Sequence, residues 1–303
     1  MTDAMTVFDR PLLQARRERA RSGYDGFAFL EAEIADRTAD RLLDMRRSFD
    51  LAVELGARSG AFGRLARESG RIGTLISTDL APGWALDRRA EGLAVAADEE
   101  ALPFAEGAFD AVLSNLALHW VNDLPGTLSQ IRRMLKPDGL FMASILGGET
   151  LVELRDALSA AEIELTGGLS PRVSPFADVR DAGGLLQRAG FALPVVDTEM
   201  LTVTYETAFH LMRDLKGMGE SNVVLERSKR PSSRALFTRM AEIYADRFAG
   251  PDGRIPARFQ ILTLTAWAPA PSQQKPLRPG AAKARLSDAL GSAERGTGEK
   301  PGS

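Results

Sequence analysis

Five short apolar runs in the first half of the chain constrain its fold more strongly than any other sequence feature. They cover residues 51–55, 73–77, 93–96, 109–113 and 139–145. Stretches of helical character lie between several of them, at residues 62–68 and 124–135. Continuous apolar strands that alternate with helices are typical of a parallel sheet covered on both faces. We therefore predict an α/β domain whose ligand site lies beyond the carboxyl ends of the strands.

Small or polar residues follow each of the first four runs. Glu54 lies at the end of the first run, and the loop after it contains Gly56, Arg58 and Gly60; Asp79 follows the second run, Asp98 and Glu99 the third, and Asn115 the fourth. Glycines let the backbone approach a ligand, and a helix amino terminus offers amide donors. A carboxylate at Asp79 can accept both hydroxyls of a ribose, and one at Asp98 can accept from an adenine amino group. A single acidic residue at a strand end is more often a helix cap, so the prediction depends on the whole succession.

The second half of the chain is less regular. Helices are predicted at residues 151–165, 179–189, 208–215 and 233–248, and strands at 195–205 and 259–267. We divide the chain into a helical extension (1–49), an α/β domain (50–268) with a helical insertion around 206–250, and a tail (269–303). The tail is rich in proline, glycine, lysine and arginine, which predicts disorder.

Composition excludes several classes of site and partner. The chain has no cysteine and therefore no disulfide, thiolate nucleophile or cysteine-ligated metal. A formal net charge of -3 gives no general field for nucleic acid. No window is apolar enough for a transmembrane helix, and the first residues do not resemble a secretory signal. The arginines at 10, 16, 17, 19 and 21 are interpreted as a solvated helix face rather than a transit peptide. We expect a cytoplasmic bacterial protein that contacts a membrane only through a partner.

Four further runs carry a resemblance to a known family. They are residues 7–10 (VFDR), 98–104 (DEEALPF), 118–125 (LHWVNDLP) and 215–222 (LKGMGESN). With the strand-end residues, they resemble the class I methyltransferases that depend on S-adenosylmethionine (SAM). These enzymes have a Rossmann-like fold, and the chain is similar to the subgroup called methyltransferase type 11. Within that class the chain is most similar to the complex I assembly factor 5 family of arginine hydroxylases and its bacterial relatives. That family is related in turn to the malonyl-carrier-protein methyltransferases of biotin synthesis.

The resemblance implies a cofactor, a partner and an activity. It implies that SAM binds at the strand-end residues given above, and that the protein acts in the assembly of respiratory complex I. The implied reaction is hydroxylation of an arginine in the iron–sulfur subunit of that complex. Two alternatives stay open: a SAM-dependent methyltransferase acting on a small-molecule or carrier-bound acid, and a non-catalytic assembly chaperone. Fold alone does not decide between them.

Arg58 departs from the family pattern, which has a glycine at this point of the first loop. Arginine adds bulk and a permanent positive charge where the family's backbone and ligand come close. Three interpretations follow. The side chain points outward and changes nothing, it pairs with the carboxylate of the ligand or selects a more anionic ligand, or it weakens SAM binding.

His119 and Glu220 are the candidate catalytic residues. His119 is interpreted either as a general base or substrate contact, or as a histidine packed beside Trp120. Glu220 either pairs with the guanidinium of an arginine substrate or lies in a turn that links two helices. A metal triad would need both histidines, His119 and His210, and a carboxylate such as Asp123. We expect no metal site, because His210 lies outside the runs that carry the resemblance.

Overall fold

The structure is a computed structural model that describes residues 6–176 and 179–273, with the side chains of residues 179 and 180 excepted. The chain divides into two compact units, Met1–Pro269 and Ala270–Ser303. The predicted disorder of the tail falls mainly on residues 274–303, which lie outside the described residues. All elements described below belong to the first unit.

Helices and strands follow the alternation that the sequence predicts. The helices are α1 (Arg10–Ala20), α2 (Phe29–Leu43), α3 (Ala61–Glu68), α4 (Pro82–Arg88), α5 (Leu124–Met134), α6 (Val152–Thr166), α7 (Val179–Arg188), α8 (Ala208–Gly217) and α9 (Arg234–Phe248). The strands are β1 (Phe49–Leu55), β2 (Ile72–Asp79), β3 (Leu93–Ala96), β4 (Phe109–Asn115), β5 (Leu135–Leu146), β6 (Ala192–Tyr205) and β7 (Ile255–Trp267). Short 3-10 helices cover Tyr24–Gly26 and Leu118–Trp120.

Within the described residues the strands form one seven-stranded sheet of order β3-β2-β1-β4-β5-β7-β6. Strands β1 to β5 pair in parallel, and β7 pairs antiparallel with both β5 and β6. The prediction of a parallel sheet in the first half is confirmed. Because β1 lies between β2 and β4, the order along the chain reverses there, which makes the carboxyl ends of β1 and β4 the switch point.

Apolar side chains cover both faces of the sheet, as the continuous apolar runs predict. On one face Val112 and Phe141 pack with Leu128 of α5 and Leu186 of α7. On the other face Phe49 and Met142 pack with Leu42 of α2 and Phe62 of α3. Burying both faces requires helices on both sides, and this is why the strands read as unbroken apolar runs. No helix in the described part of the chain is long and apolar enough to cross a membrane.

Two parts of the structure differ from the sequence prediction. The fifth strand is predicted at residues 139–145, but β5 already begins at Leu135, directly after α5, and its pairing with β4 shifts register between Phe109 and Ala111. Helix α1 buries two arginines that were interpreted as solvated, Arg10 and Arg17. The interpretation failed because an arginine can be buried where carboxylates pair with it, and such pairing leaves no apolar pattern in the sequence.

Candidate cofactor and substrate site

The loop after β1 packs closely against the loop after β4. Gly56 has φ 67°, and a Cβ added to it would overlap the Cβ of Ala117. Gly60 has φ 73° and precedes the first residue of α3. A side chain at Gly56 would meet both a strained backbone and a rigid neighbour, so glycine is required there. The predicted glycine-rich loop therefore lies at the switch point, close against its neighbour.

Arg58, in the same loop, points inward. Its backbone also has a positive φ, 41°, and the residue is only 3% exposed. The guanidinium donates to the carbonyl oxygen of Leu116 at 2.9 Å and forms an ion pair with Glu220. The interpretation in which Arg58 points outward is therefore wrong. Carboxylates on two other segments of the chain, invisible to local sequence reasoning, draw the side chain into the interior.

A second acid, Glu31, lies beside the same guanidinium. The Tyr24 hydroxyl and the Ser59 hydroxyl both donate to the Glu31 carboxylate, the latter at 2.8 Å. Burial raises the pKa of the Glu31 carboxyl, and the positive charge of Arg58 acts against that rise. Sequence reasoning missed Glu31 and Tyr24, since both precede β1 and neither belongs to a recognised run.

Glu220 joins the cluster from the loop after α8. Its Oε2 accepts from the Trp120 indole N–H at 2.7 Å and lies 3.5 Å from Nε2 of His119. Burial by itself would raise the pKa of Glu220, but the Arg58 guanidinium, together with His119 and Arg17, outweighs burial and holds that pKa well below its usual range. Glu220 is therefore an ionised carboxylate paired with the Arg58 guanidinium and the Trp120 indole N–H. We call Arg58, Glu220, Glu31, Tyr24 and His119 the strand-end cluster.

His119 lies at the edge of the strand-end cluster. Its ring is 5.4 Å from the Trp120 ring and 5.9 Å from the Phe176 ring, measured between centroids. Burial lowers the pKa of the imidazole, which keeps it neutral. Among the described residues neither ring nitrogen has a hydrogen-bond partner. His119 therefore packs beside Trp120, with its Nε2 facing the Glu220 carboxylate.

The acids expected at the adenosine end are paired with groups of this chain. Asp79 is 0% exposed and accepts from the backbone N–H groups of Ala81 at 2.8 Å and Arg58 at 3.1 Å. Glu99 forms ion pairs with Arg10 and, at 3.3 Å, with Arg17 of α1. Asp98, which is partly exposed, pairs with Arg10 at 2.5 Å. The VFDR run that sequence analysis singled out thus supplies the arginine that holds Asp98 and Glu99.

Glu54 and Asn115 lie deeper and support the loops. Glu54 accepts from the Gly63 N–H at 3.0 Å and the Ser77 hydroxyl at 3.3 Å. Burial, reinforced by the negative charge of Glu31, raises the pKa of Glu54 to about 8. The Asn115 side chain donates to the Glu31 carbonyl oxygen at 3.0 Å. The structure therefore brings all the predicted cofactor-binding residues to one end of the sheet, with these two serving as supports.

The residues at this end do not fit SAM in the arrangement described. The space enclosed between the strand-end cluster and the neighbouring apolar side chains Leu30, Leu116, Leu146 and Met218 is about 20 Å³. A volume of that order holds about one water molecule. Arg58 fills the position in which the family has a glycine, and Asp79 and Glu99 already accept hydrogen bonds from this chain.

A much larger cavity, of about 700 Å³, opens on the other side of Glu220. Helices α6, α8 and α9 form a helical cap over the sheet domain and line this cavity, which we call the cap cavity. Its walls are mainly apolar, with Leu154, Leu158, Met212, Leu215, Phe176 and Phe237, and its basic residues are Arg16, Arg172, Arg227 and Lys229. Glu220 lines both the cap cavity and the small space in the strand-end cluster. It is the only acidic residue among those that line the described cap cavity.

His210 and Asp123, the other members of the metal triad considered above, have local roles. The Asp123 carboxylate caps α5 by accepting from the Gly126 N–H at 2.8 Å. His210 lies in the first turn of α8, with Nδ1 3.7 Å from the Glu206 carboxylate. Each side chain is accounted for by the helix end on which it lies.

Comparisons with known proteins agree with this architecture. Residues 53–143 match a family model described as a methyltransferase domain. A Bacillus halodurans structure described as a methyltransferase superposes with a TM-score of 0.54 at 15% identity and covers 77% of this chain and 97% of its own. The YcgJ protein of Bacillus subtilis superposes with a TM-score of 0.55 at 12% identity, covering 78% and 99%. The protein is an enzyme of the methyltransferase superfamily, and the predicted Rossmann-like class I fold is confirmed.

Curated relatives define the family more narrowly. The mitochondrial arginine-hydroxylase NDUFAF5 of Danio rerio is 42% identical over 290 residues, covering 94% of this chain and 89% of its own. The human protein of the same name is also 42% identical, over 92% of this chain and 81% of its own. A malonyl-[acyl-carrier protein] O-methyltransferase of Gallionella capsiferriformans is 35% identical, over 88% and 93%. The chain belongs to the NDUFAF5 arginine-hydroxylase family, and the predicted resemblance is confirmed.

The expected cytoplasmic bacterial location is wrong on the same comparison. The arginine hydroxylases that match over most of this chain are all described as mitochondrial. The expectation rested on composition and on the pattern of the first residues. Neither feature depends on how the folded domain packs.

Proposed function

We propose that this enzyme hydroxylates an arginine side chain of the iron–sulfur subunit of respiratory complex I during assembly. One atom of dioxygen enters the side chain and the other leaves as water, with two electrons supplied by a reductant from solution. The observation that carries the proposal is the 42% identity to arginine hydroxylases over 94% of the chain. That alignment takes in the α/β core together with the cap, and so covers both the strand-end cluster and the cap cavity. The protein substrate and its subunit come from the family resemblance given above.

The cap cavity supports a side-chain substrate. Ligand pockets typically enclose about 300–1,000 Å³ with mostly apolar walls and a few polar groups, and the cap cavity, at about 700 Å³, lies within that range. An arginine side chain has an apolar stem and a planar cationic end, and Glu220 is the carboxylate on the inner wall. We assign Glu220 to the recognition of the substrate guanidinium. His119, which is neutral and has Nε2 3.5 Å from Oε2 of Glu220, is the candidate base behind it.

One observation favours a second candidate. Most of the charged residues that line the cap cavity are basic, and Arg16 lies close enough to Arg227 for the two charges to repel: burial first, then Arg227, lowers the pKa of Arg16. Cations in this arrangement attract an acidic substrate. Methyl transfer to a carrier-bound acid, as the names of the O-methyltransferase relatives describe, is therefore the alternative.

Mass spectrometry of the iron–sulfur subunit distinguishes the candidates. The subunit is purified from the parent strain, from a strain lacking this protein, and from that strain carrying the gene again. Loss of one oxygen from a single arginine, restored by the gene, is the expected result. Loss of a methyl group instead would support the alternative, and an unchanged subunit with failed assembly would point to a non-catalytic chaperone and end the proposal.

A further inference from the structure

Arg58 combines an unusual backbone with an unusual position. A positive φ is uncommon for any residue with a Cβ, and the loop holds Arg58 in that conformation next to Gly56 and Gly60. The family pattern has a glycine at this point. When a side chain in a strained loop has its charged end buried and paired, the surrounding structure is arranged to hold that side chain in place.

The surroundings of the guanidinium select for a cation. Two carboxylates face it from different segments, Glu31 from α2 and Glu220 from the loop after α8. The methionine end of SAM is also cationic at its sulfonium and ammonium groups. A permanent guanidinium thus supplies the same charge that the cofactor would bring to these acids.

We propose that Arg58 is a built-in replacement for the methionine end of SAM, so that the native chain does not bind SAM. The guanidinium fills the space at the end of β1 and satisfies Glu220 and the Leu116 carbonyl oxygen. If the guanidinium moved away, the Glu220 carboxylate would lose its ion-pair partner, and leaving a buried charge unpaired is strongly destabilising. This inference goes beyond the proposed function, which routes no step through SAM.

A second observation, at the opposite end of the site, points the same way. Arg17 is 1% exposed and pairs with Glu99, and Arg10 pairs with Glu99 and Asp98. Both arginines come from α1, which precedes the α/β domain along the chain. Two of the acids expected at the adenosine end, Asp98 and Glu99, are therefore held by this chain's own cations, as Glu220 is held by Arg58.

Isothermal titration calorimetry with SAM tests the proposal. We compare the native protein, the variant R58G and the control R64A; Arg64 lies in α3 beside the same loop but is 46% exposed. The native protein and R64A should give no measurable binding, and R58G should bind SAM at least about tenfold more tightly than either. S-adenosylhomocysteine, which lacks the sulfonium charge, should bind R58G more weakly than SAM does.

Two results would overturn the proposal. One is SAM binding by the native protein that matches R58G, and the other is a folded R58G variant that gains no binding. Because R58G leaves Glu220 unpaired, the double variant R58G/E220Q removes both charges and serves if R58G does not fold. Circular dichroism establishes folding for each variant before titration. Binding is measured without reference to the mass of the iron–sulfur subunit, so the outcome is independent of the proposed function.

Discussion

The strand-end cluster and the cap cavity share the wall formed by Glu220, yet they are built on opposite principles. In the strand-end cluster each buried charge faces an opposite one, and the enclosed space is about 20 Å³. In the cap cavity apolar walls surround about 700 Å³, and basic residues outnumber acidic ones. The charges of the strand-end cluster pair with one another and leave little room. The cap cavity has room for a ligand, and two of its four basic residues, Arg172 and Arg227, are already paired with Glu162 and Asp9. The comparison supports the proposal that ligand recognition lies on the cap side of Glu220.

Removing the shared carboxylate should have the largest effect. Glu220→Ala leaves the Arg58 guanidinium buried without its acid, and breaking a buried pair by deleting one partner costs about 3–5 kcal/mol. Urea unfolding should show that loss of stability. Glu206→Ala, which changes a glutamate that is 69% exposed, should stay within about 0.5 kcal/mol of the native protein. Equal losses of stability for the two variants would show that the Arg58–Glu220 pair stabilises the fold no more than an exposed glutamate does.

Adding one methyl group in each region should show that the loop after β1 tolerates added volume less well than the loop after α6. Gly56→Ala forces a Cβ onto Ala117 in a loop with φ 67°, and such overpacking costs about 1–3 kcal/mol. Gly168→Ala, in the loop after α6, meets nothing nearer than the Thr166 hydroxyl at 3.8 Å. Thermal unfolding should show a lower midpoint for the first variant and no shift for the second. A tolerated Gly56→Ala would mean that the loop after β1 can open.

On the sheet side, the positions of the site residues were predicted correctly from the sequence. Apolar runs and the polar residues that follow them depend on local burial and strand geometry, which are written in adjacent residues. Asp79, Glu99 and Asn115 therefore lie at the strand ends as expected. Their partners could not be predicted in the same way.

Those partners are distant in sequence. Arg58 and Glu220 are separated by 162 positions, and Arg17 and Glu99 by 82. Long-range ion pairs leave no periodic signal, since each charged residue by itself looks solvated. The inward orientation of Arg58 and the burial of Arg10 and Arg17 follow from such pairs. From one sequence the orientation of Arg58 could be stated only as one of several alternatives, and the α1 arginines were wrongly predicted to be solvated.

Titration should distinguish the buried supports from the surface. The raised pKa of Glu54, about 8, means that the native state holds a proton which the unfolded chain releases near the ordinary glutamate pKa of 4.5. Between those values the native state binds more protons, so stability falls as pH rises, by up to about 1.4 kcal/mol per pH unit. Glu54→Gln should lack this slope and gain on the native protein as pH rises from about 5 to about 8.

Urea unfolding at a series of pH values measures the difference. Glu68→Gln, which changes an exposed glutamate of α3, is the matched control and should run parallel to the native protein. If Glu54→Gln ran parallel as well, the Glu54 carboxyl would be ionised in the folded state, and the negative charge at the end of β1 would be larger than described here.

The smallest effect is expected at the cap cavity, where charge matters for the substrate rather than for folding. Lys229 lines the cavity and is exposed, so Lys229→Glu should change stability by no more than about 0.5 kcal/mol. For an arginine-containing peptide of the iron–sulfur subunit, the reversal replaces repulsion with attraction and should tighten binding by about 0.2–1 kcal/mol, the range of an exposed pair. Lys216→Glu alters an exposed lysine of α8 outside the lining and should leave peptide binding unchanged. Fluorescence anisotropy of a labelled peptide measures both. Weaker peptide binding by Lys229→Glu would show that the cap cavity selects an acid, which is the outcome that the methyl-transfer alternative requires.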